Sequence, residues 1–449
     1  MKPARHPVLQ KPRRCPTHRR GFTTPAVAIA LLVVMGGLAL VLDRLWLDAT
    51  DLELTAAAEA AALAGAGELA SDDFLKPNPD SDARAELARN SAAFIAGQNY
   101  VAGSPVVLST DPQGDIRIGR LTVDDQSQKV QFVESNSNPT TVVVTAMRTR
   151  RTNNPVGLVV AGVTGQPFGD VVTRVEASVD NRVVGVRPVD GTPVPALPLA
   201  IWWKDPSGQR ADTWQAQIEA RQGQDQYGFD PIGHQVYSGS DGIPEIHLHS
   251  QPSGQQSSNS NMLVVDIGTS MNDQSLQRQF QSGWSVEDLA PFGGQFCISD
   301  ASPATVNASA ELLHADRESL DRLIGQARIC LLYSTAVASD SQGLMSAVCI
   351  RLVAIRILAV NDQTDGSCDI IAQPCVIRTR TALLDVSMPY STDSVLPVSP
   401  YLAPAANTPT NASDPATGNA AASTSATTLS ITAAATPGNP YIYKLQLTH

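Results

Sequence analysis

FTTPAVAIALLVVMGGLALVL, residues 22–42, carries no charged side chain and is almost wholly apolar. As a helix its 21 residues span about 31 Å, the thickness of a bilayer's hydrocarbon core. Lys2, Arg5, Lys11, Arg13, Arg14, Arg19 and Arg20 precede it, and no acid does. A basic flank stays on the cytoplasmic side, so everything after Leu42 is expected outside the cytoplasm. A cleaved secretory signal is the competing reading. Its core is normally about 7–15 residues and is followed directly by a small-x-small site. Here the chain continues as Asp43-Arg44-Leu45-Trp46, and Ala62–Ala66 comes too late. Arg19-Arg20-Gly21-Phe22 partly resembles a twin-arginine export signal, with His18 where Ser or Thr is expected. Cys15 precedes the run and cannot be a lipid acceptor. The expectation is a single-pass membrane protein with its N-terminus in the cytoplasm.

The chain has 449 residues, enough for two or three domains beyond the anchor. Its formal charge is −11, although seven of its 32 basic side chains lie before the span and all 43 acidic ones after it. An exported region this acidic argues against a nucleic-acid partner. Aromatics are only 5% and Gly and Pro number 31 each, which suits β-rich, turn-rich domains. Five of the six cysteines, Cys297, Cys330, Cys349, Cys368 and Cys375, fall in one window. No C-x-x-C occurs, so neither zinc nor a redox dithiol is indicated. In an oxidising compartment at least one disulfide is expected among Cys330, Cys349, Cys368 and Cys375, with Cys368 and Cys375 closing a short loop.

The expected fold class is α+β. Residues 1–21 form a cytoplasmic basic segment and 22–42 a transmembrane helix. Residues 43–98 form an Ala-rich helical stalk that continues the membrane helix and is interrupted by Pro77 and Pro79. Ala57, Ala61 and Gly65 recur every fourth residue, a small-residue face that permits close helix approach, either to homologous helices or to the helix's own domain. Residues 99–189 read as a β-rich domain, from β-branched runs such as Thr141–Thr145 and Val171–Val179. Residues 190–198, rich in proline, read as a linker. A second β-rich domain is expected over 199–396, a disordered low-complexity tail over 397–440, and a terminal strand over 441–449.

Candidate chemistry is sparse. Leu263-Val-Val-Asp266-Ile-Gly-Thr-Ser270 resembles the metal-ion adhesion loop of von Willebrand A domains, where a carboxylate and hydroxyls hold Mg²⁺. Gly268 stands where the first Ser belongs, and the strand–helix alternation of a doubly wound domain is missing downstream. His247 and His249 face one side of a candidate strand, with His234, Asp241 and Glu245 near in sequence. Two histidines this close in a turn-rich segment are more often an exposed face than a metal site. Trp202 and Trp203 read as core or interface. No nucleophile elbow, zinc-protease motif, phosphate loop or dinucleotide fingerprint is present. The expectation is no catalytic, cofactor or metal site and no small-molecule substrate.

The N-terminal stretch carries a specific likeness. Arg20-Gly21, the apolar span, Leu42-Asp43-Arg44-Leu45 and Ala58-Glu59-Ala60-Ala61-Ala62-Leu63-Ala64-Gly65-Ala66 together resemble the N-terminal module of TadG-like Flp (tight-adherence) pilus-assembly proteins. The likeness covers about 55 residues. It implies a non-enzymatic bitopic protein that assembles or anchors a surface pilus, with membrane and pseudopilin-type subunits as partners. Gly21-Phe22 looks like a prepilin peptidase junction, but Ala26 stands where a prepilin has Glu. The alternatives are a von Willebrand A-like metal-dependent adhesin and an exported hydrolase without a recognisable motif.

Overall fold

The computed structural model describes residues 23–448, apart from 125–126, 128, 252–259, 269–270, 313, 339–343, 364–366 and 389–437. The fold is mixed α+β, with one long apolar helix near the N-terminus and many strands. Helix α1, Thr23–Leu69, runs 47 residues without a break, about 70 Å. Its one proline, Pro25, stands in the first turn, where a missing N–H costs nothing. The helix is followed by a short turn, Asp72–Leu75, and by helix α2, Ser81–Gln98. Asp80 caps α2 by accepting the Ala83 N–H at 2.9 Å.

The chain divides into two compact units. The first holds α1 up to Leu54 together with residues 101–104 and 147–173. The second holds the rest, including two large sheets. One has six strands, in the order Ile377–Arg378, Ile442–Thr448, Val171–Asp180, Thr141–Arg148, Ile116–Val123 and Val130–Glu134. The other has seven, in the order Ile246–His249, Cys368–Pro374, Leu344–Asp362, Ala304–Ser309, Met262–Asp266, Ala196–Trp202 and Ala327–Ala338. Ala327–Ala338 also pairs with Leu344–Asp362. The last five strands of the larger sheet therefore close into a ring, antiparallel throughout except where Ala196–Trp202 meets Ala327–Ala338.

Both faces of the ring's wall are apolar. Leu197, Leu199, Ile201, Met262, Val264, Leu332 and Val353 enter one core, and Ala200, Leu263, Val265, Leu331 and Leu352 enter the other. Strands buried on both faces read as continuous apolar runs rather than as alternation. At the end of helix Asp273–Ser282, Gly283 adopts φ +85°, and a Cβ there would meet the Val194 carbonyl oxygen at 1.9 Å. Only glycine allows that approach.

Residues 190–198 do not form a linker apart from the barrel. Val194 is buried, Ile329 N–H donates to the Pro195 carbonyl, and Leu197 lies in the core. The prolines mark an irregular strand instead: the pairing with Ala327–Ala338 shifts register between Ala196 and Ala200, the interval holding Pro198, which has no N–H to donate. Residues 375–384 hold two short strands, Ile377–Arg378 and Ala382–Leu384. Cys368–Pro374 is the strand that precedes them. Ile442–Thr448 forms a strand between Ile377–Arg378 and Val171–Asp180. The expected tail lies outside the described residues as far as 437.

The elbow between α1 and α2 is fastened to the barrel by charge. Asp72 Oδ2 pairs with Arg356 Nη1, and Asp72 Oδ1 accepts the Val376 N–H at 2.7 Å. Arg356 also donates from Nε to the Gly325 carbonyl at 3.1 Å, and its guanidinium lies 3.7 Å from the Phe229 ring centroid. Next along, Phe74 lies under the Arg84 guanidinium and stacks on Tyr443. Removing one partner of a buried ion pair strands the other charge, at a cost of roughly 3–5 kcal/mol. Asp72→Ala is therefore expected to lower the unfolding free energy of the purified protein by that margin, seen as a lower denaturant midpoint, and Asp72→Glu by much less. An unchanged midpoint in Asp72→Ala would show that Arg356 finds another acceptor.

Candidate functional site

The long helix is the candidate site, and its two halves meet different surroundings. From Val27 to Leu42 most large apolar side chains are exposed: Val33 is 70% and Leu40 62% accessible. From Ala39 onward one face is covered by the protein. Ala39, Asp43, Thr50, Leu54, Ala57, Ala61, Gly65 and Leu69 lie at helical spacing, and all are buried.

In the second unit the covering element is α2 with the strand beside it. A Cβ on Gly65 would lie 2.9 Å from the Ala88 carbonyl oxygen, 3.2 Å from Ala92 Cβ and 3.3 Å from Val142 Cγ1. Ala57, Ala61 and Gly65 are thus a close-packing face, occupied by the chain's own domain rather than open to a neighbouring helix. Ala56, one position round, is exposed.

In the first unit the covering element is a hairpin. Val156 pairs with Gly169 and Gly157 with Phe168, and Leu158 N–H donates to the Pro167 carbonyl at 3.1 Å. At its base Arg150 N–H donates to Asp170 Oδ1 at 2.9 Å. Hydrogen bonds hold this hairpin to α1. Asp43 Oδ1 accepts from Val159 N–H and Val160 N–H, both at 2.9 Å, and Trp46 Nε1 donates to the Gly157 carbonyl at 3.1 Å. Gly169 lies so near Leu47 that a Cβ would fall 2.5 Å from Leu47 Cδ2. Asp43, the first charged residue after the apolar span, is buried in this contact. Its role was not read from the sequence. The available signal was the stretch Thr152–Gly169, 18 residues without a charge between Arg150-Arg151 and Asp170.

The remaining candidates are committed to local structure. Asp266 is buried at the end of its strand, where Oδ1 accepts from Gly268 N–H at 2.7 Å and Gln279 Nε2 at 2.9 Å, and Oδ2 from Ser275 Oγ at 3.3 Å. That arrangement ties the strand to helix Asp273–Ser282. The strand's neighbours on both sides are antiparallel, unlike a doubly wound sheet. Ser270 lies outside the described residues. Gln279 Nε2 also reaches Asp288 Oδ1 at 3.2 Å. Burial pushes the Asp288 carboxyl up, but Arg278 and Ser285 outweigh it and hold it below the usual range.

His247 and His249 do share the side of their strand that faces away from the apolar core, and His249 Nδ1 meets its cross-strand neighbour Asp369 Oδ1 at 2.6 Å. Glu245 Oε1 instead accepts the Gln226 and Tyr227 N–H groups; burial raises its carboxyl, as it raises that of Asp241, which accepts from Ile243 N–H. His234 sits at a turn with φ +52°. Among the described residues no three His, Cys, Asp or Glu side chains converge as a metal site. Trp202 and Trp203 each carry an arginine over the ring, Arg210 and Arg351.

All five cysteines among the described residues are free thiols. Cys368 opens a strand and Cys375 follows its last residue, so they stand about 23 Å apart, where a disulfide needs Cα atoms within about 7 Å. The expected short loop is an extended strand. Cys330 and Cys349 lie on neighbouring strands but out of register, Cys330 opposite Val353 and Cys349 opposite Tyr333, and they belong to different cores. Burial pushes the Cys349 thiol up to about 12 and that of Cys368 to about 11.

No family model, no curated protein and no solved structure matches the chain.

Two measurements check this geometry. Gly65→Val should lower the thermal midpoint by the equivalent of roughly 1–3 kcal/mol, because the added atoms overpack α1 against α2. Ala56→Val, on the exposed face, should stay within about 0.5 kcal/mol of the parent. The second concerns Asp316, buried in helix His314–Asp321. Burial, reinforced by Asp273, raises its carboxyl to about 6. Between the ordinary value near 3.9 and about 6, the folded protein holds a proton that the unfolded chain has released. Its contribution therefore falls as pH rises through that window and stays low above it. Asp316→Asn should raise the thermal midpoint at pH 7.5, by at most the equivalent of ~3 kcal/mol, and the gain should nearly vanish at pH 4. Equal gains at both pH values would refute the assignment.

Proposed function

We propose that the protein is a bitopic, non-enzymatic component of a tight-adherence (Flp) type pilus system in the bacterial cytoplasmic membrane. It holds its basic N-terminus in the cytoplasm and projects its β-rich body outward as a docking platform for other subunits. The observation that carries this reading is α1. One unbroken helix presents an apolar, exposed half long enough to cross a bilayer, then a half covered along one face. The basic flank supports the orientation. The TadG-like signature ending at Ala66 supports the system.

The helix acts in two ways. Its exposed half, Val27–Leu42, meets lipid or the spans of partner subunits, where Gly37, with open space around it, permits close approach. Its covered half is fastened within its own domain, where Gly65 packs against Ala88 and Ala92 of α2.

Two native thiols test the topology. Cys15 precedes the span, and Cys297 is exposed on the body. A membrane-impermeant maleimide added to intact spheroplasts should label Cys297 and leave Cys15 unlabelled until the membrane is permeabilised. The protein should also stay in carbonate-washed membranes. Label on Cys15 alone in intact cells, or release of the protein by carbonate, would refute the anchored, outward-facing reading. Co-purification with small pseudopilin-type subunits through α1, lost when Val27–Leu42 is replaced by an unrelated span, would establish the docking role.

A further inference from the structure

We infer that the hairpin around residues 156–169 is a second membrane element, which inserts its tip into the headgroup–hydrocarbon boundary of the leaflet where α1 emerges. The inference rests on the membrane reading above and adds a lipid contact to it.

The argument is one of depth along α1. Gly157 is fixed at Trp46, and Gly169 packs on Leu47. Val159 and Val160 are fixed at Asp43, one turn nearer the membrane. The hairpin therefore runs down the helix toward the apolar span, with the short helical turn Ala161–Thr164 still to come beyond Asp43. Ala39 is the next residue on the same face, four positions below Asp43 and about 6 Å deeper. It is 3% accessible, while its neighbours Leu38 and Leu40 are 59% and 62% accessible. Cover on that one face, at that depth, is what a descending hairpin supplies.

The chemistry fits a lipid boundary. Thr152–Gly169 carries no charge. Val159 and Phe168 are exposed, at 66% and 44%, and so is Leu45 on the adjoining helix. The charges stand at the base, where Arg150 and Asp170 pair. An exposed loop cannot sit in hydrocarbon with unpaired backbone groups. Here the Val159 and Val160 N–H groups are paired to the Asp43 carboxylate, the Leu158 N–H to Pro167, and the Gly157 carbonyl to Trp46. Trp46 itself lies where tryptophans gather at membrane interfaces. Asp43 thus serves as the acceptor that lets backbone descend beside the helix.

The test uses the full chain in lipid vesicles, in a Cys15→Ser, Cys297→Ser background, since the other described thiols are buried. A nitroxide is attached at Val159→Cys, with Val33→Cys as the mid-span reference and Ile232→Cys, 91% accessible on the β body, as the water reference. Accessibility to oxygen and to a water-soluble nickel complex is read by electron paramagnetic resonance. The expected result is an oxygen-to-nickel ratio at 159 several-fold above that at 232 and approaching that at 33. A lipid-like ratio at 33 with a water-like ratio at 159 would overturn the hairpin inference and leave the anchor standing. A label at 159 shielded from both reagents would also overturn it, since the site would then face protein. A water-like ratio at 33 would overturn the inference together with the membrane reading on which it rests.

Discussion

The contact between Asp72 and Arg356 joins the helical and β parts of the larger unit, and much else follows from it. A buried guanidinium is tolerated only when its donors are met, and here a carboxylate, a backbone carbonyl and an aromatic face meet them. The carboxylate is placed by the turn that ends α1. The guanidinium is placed by the longest strand of the barrel. Fixing those two atoms fixes where α1 stops and where α2 begins its return. That return is what brings Ala88 and Ala92 against Gly65.

Carboxylates do similar work elsewhere at lower stakes. Asp43, Glu245 and Asp266 each accept from backbone N–H groups. So does half-buried Asp205, which takes N–H groups of Ser207, Gln209 and Arg210; the Ser207 hydroxyl and these amides draw its carboxyl down to about 2. In a chain with 31 glycines and 31 prolines, many turns depart from regular ladders and leave amides to be satisfied. Part of the acidic excess thus serves loop geometry. That accounts for the many suggestive acidic residues in the sequence and for their dispersal in the fold.

What could be read in advance follows the same physics. The long apolar helix and its Ala-rich continuation were legible because the run is free of proline after its first turn and rich in Ala and Leu. The runs at Thr141 and Val171 were legible as strands because their β-branched side chains favour extended backbone. Ala196–Trp202 was not, because two prolines disguise a central strand as a connector. Helix Asp273–Ser282 was missed because only Leu276 and Phe280 give it an apolar side among polar residues. The spacing of Ala57, Ala61 and Gly65 announced close packing but could not say against what, since the partner α2 is itself mostly small residues. The bond from Asp43 to Val159 and Val160 joins residues more than a hundred positions apart, and no local pattern encodes it.

The strand Ile442–Thr448 has a consequence for the order of events during synthesis. It pairs with Glu176–Asp180 on one side and Ile377–Arg378 on the other. Until the ribosome has made residues 442–448, the strand ending at Asp180 has an open edge. At roughly 5–20 residues per second, that interval lasts on the order of tens of seconds. An unpaired strand edge is a template for joining another chain. Meanwhile α1, made first, has already emerged. The nascent chain therefore carries a completed helix and an unfinished sheet together, and it needs protection from its neighbours until its later strands arrive.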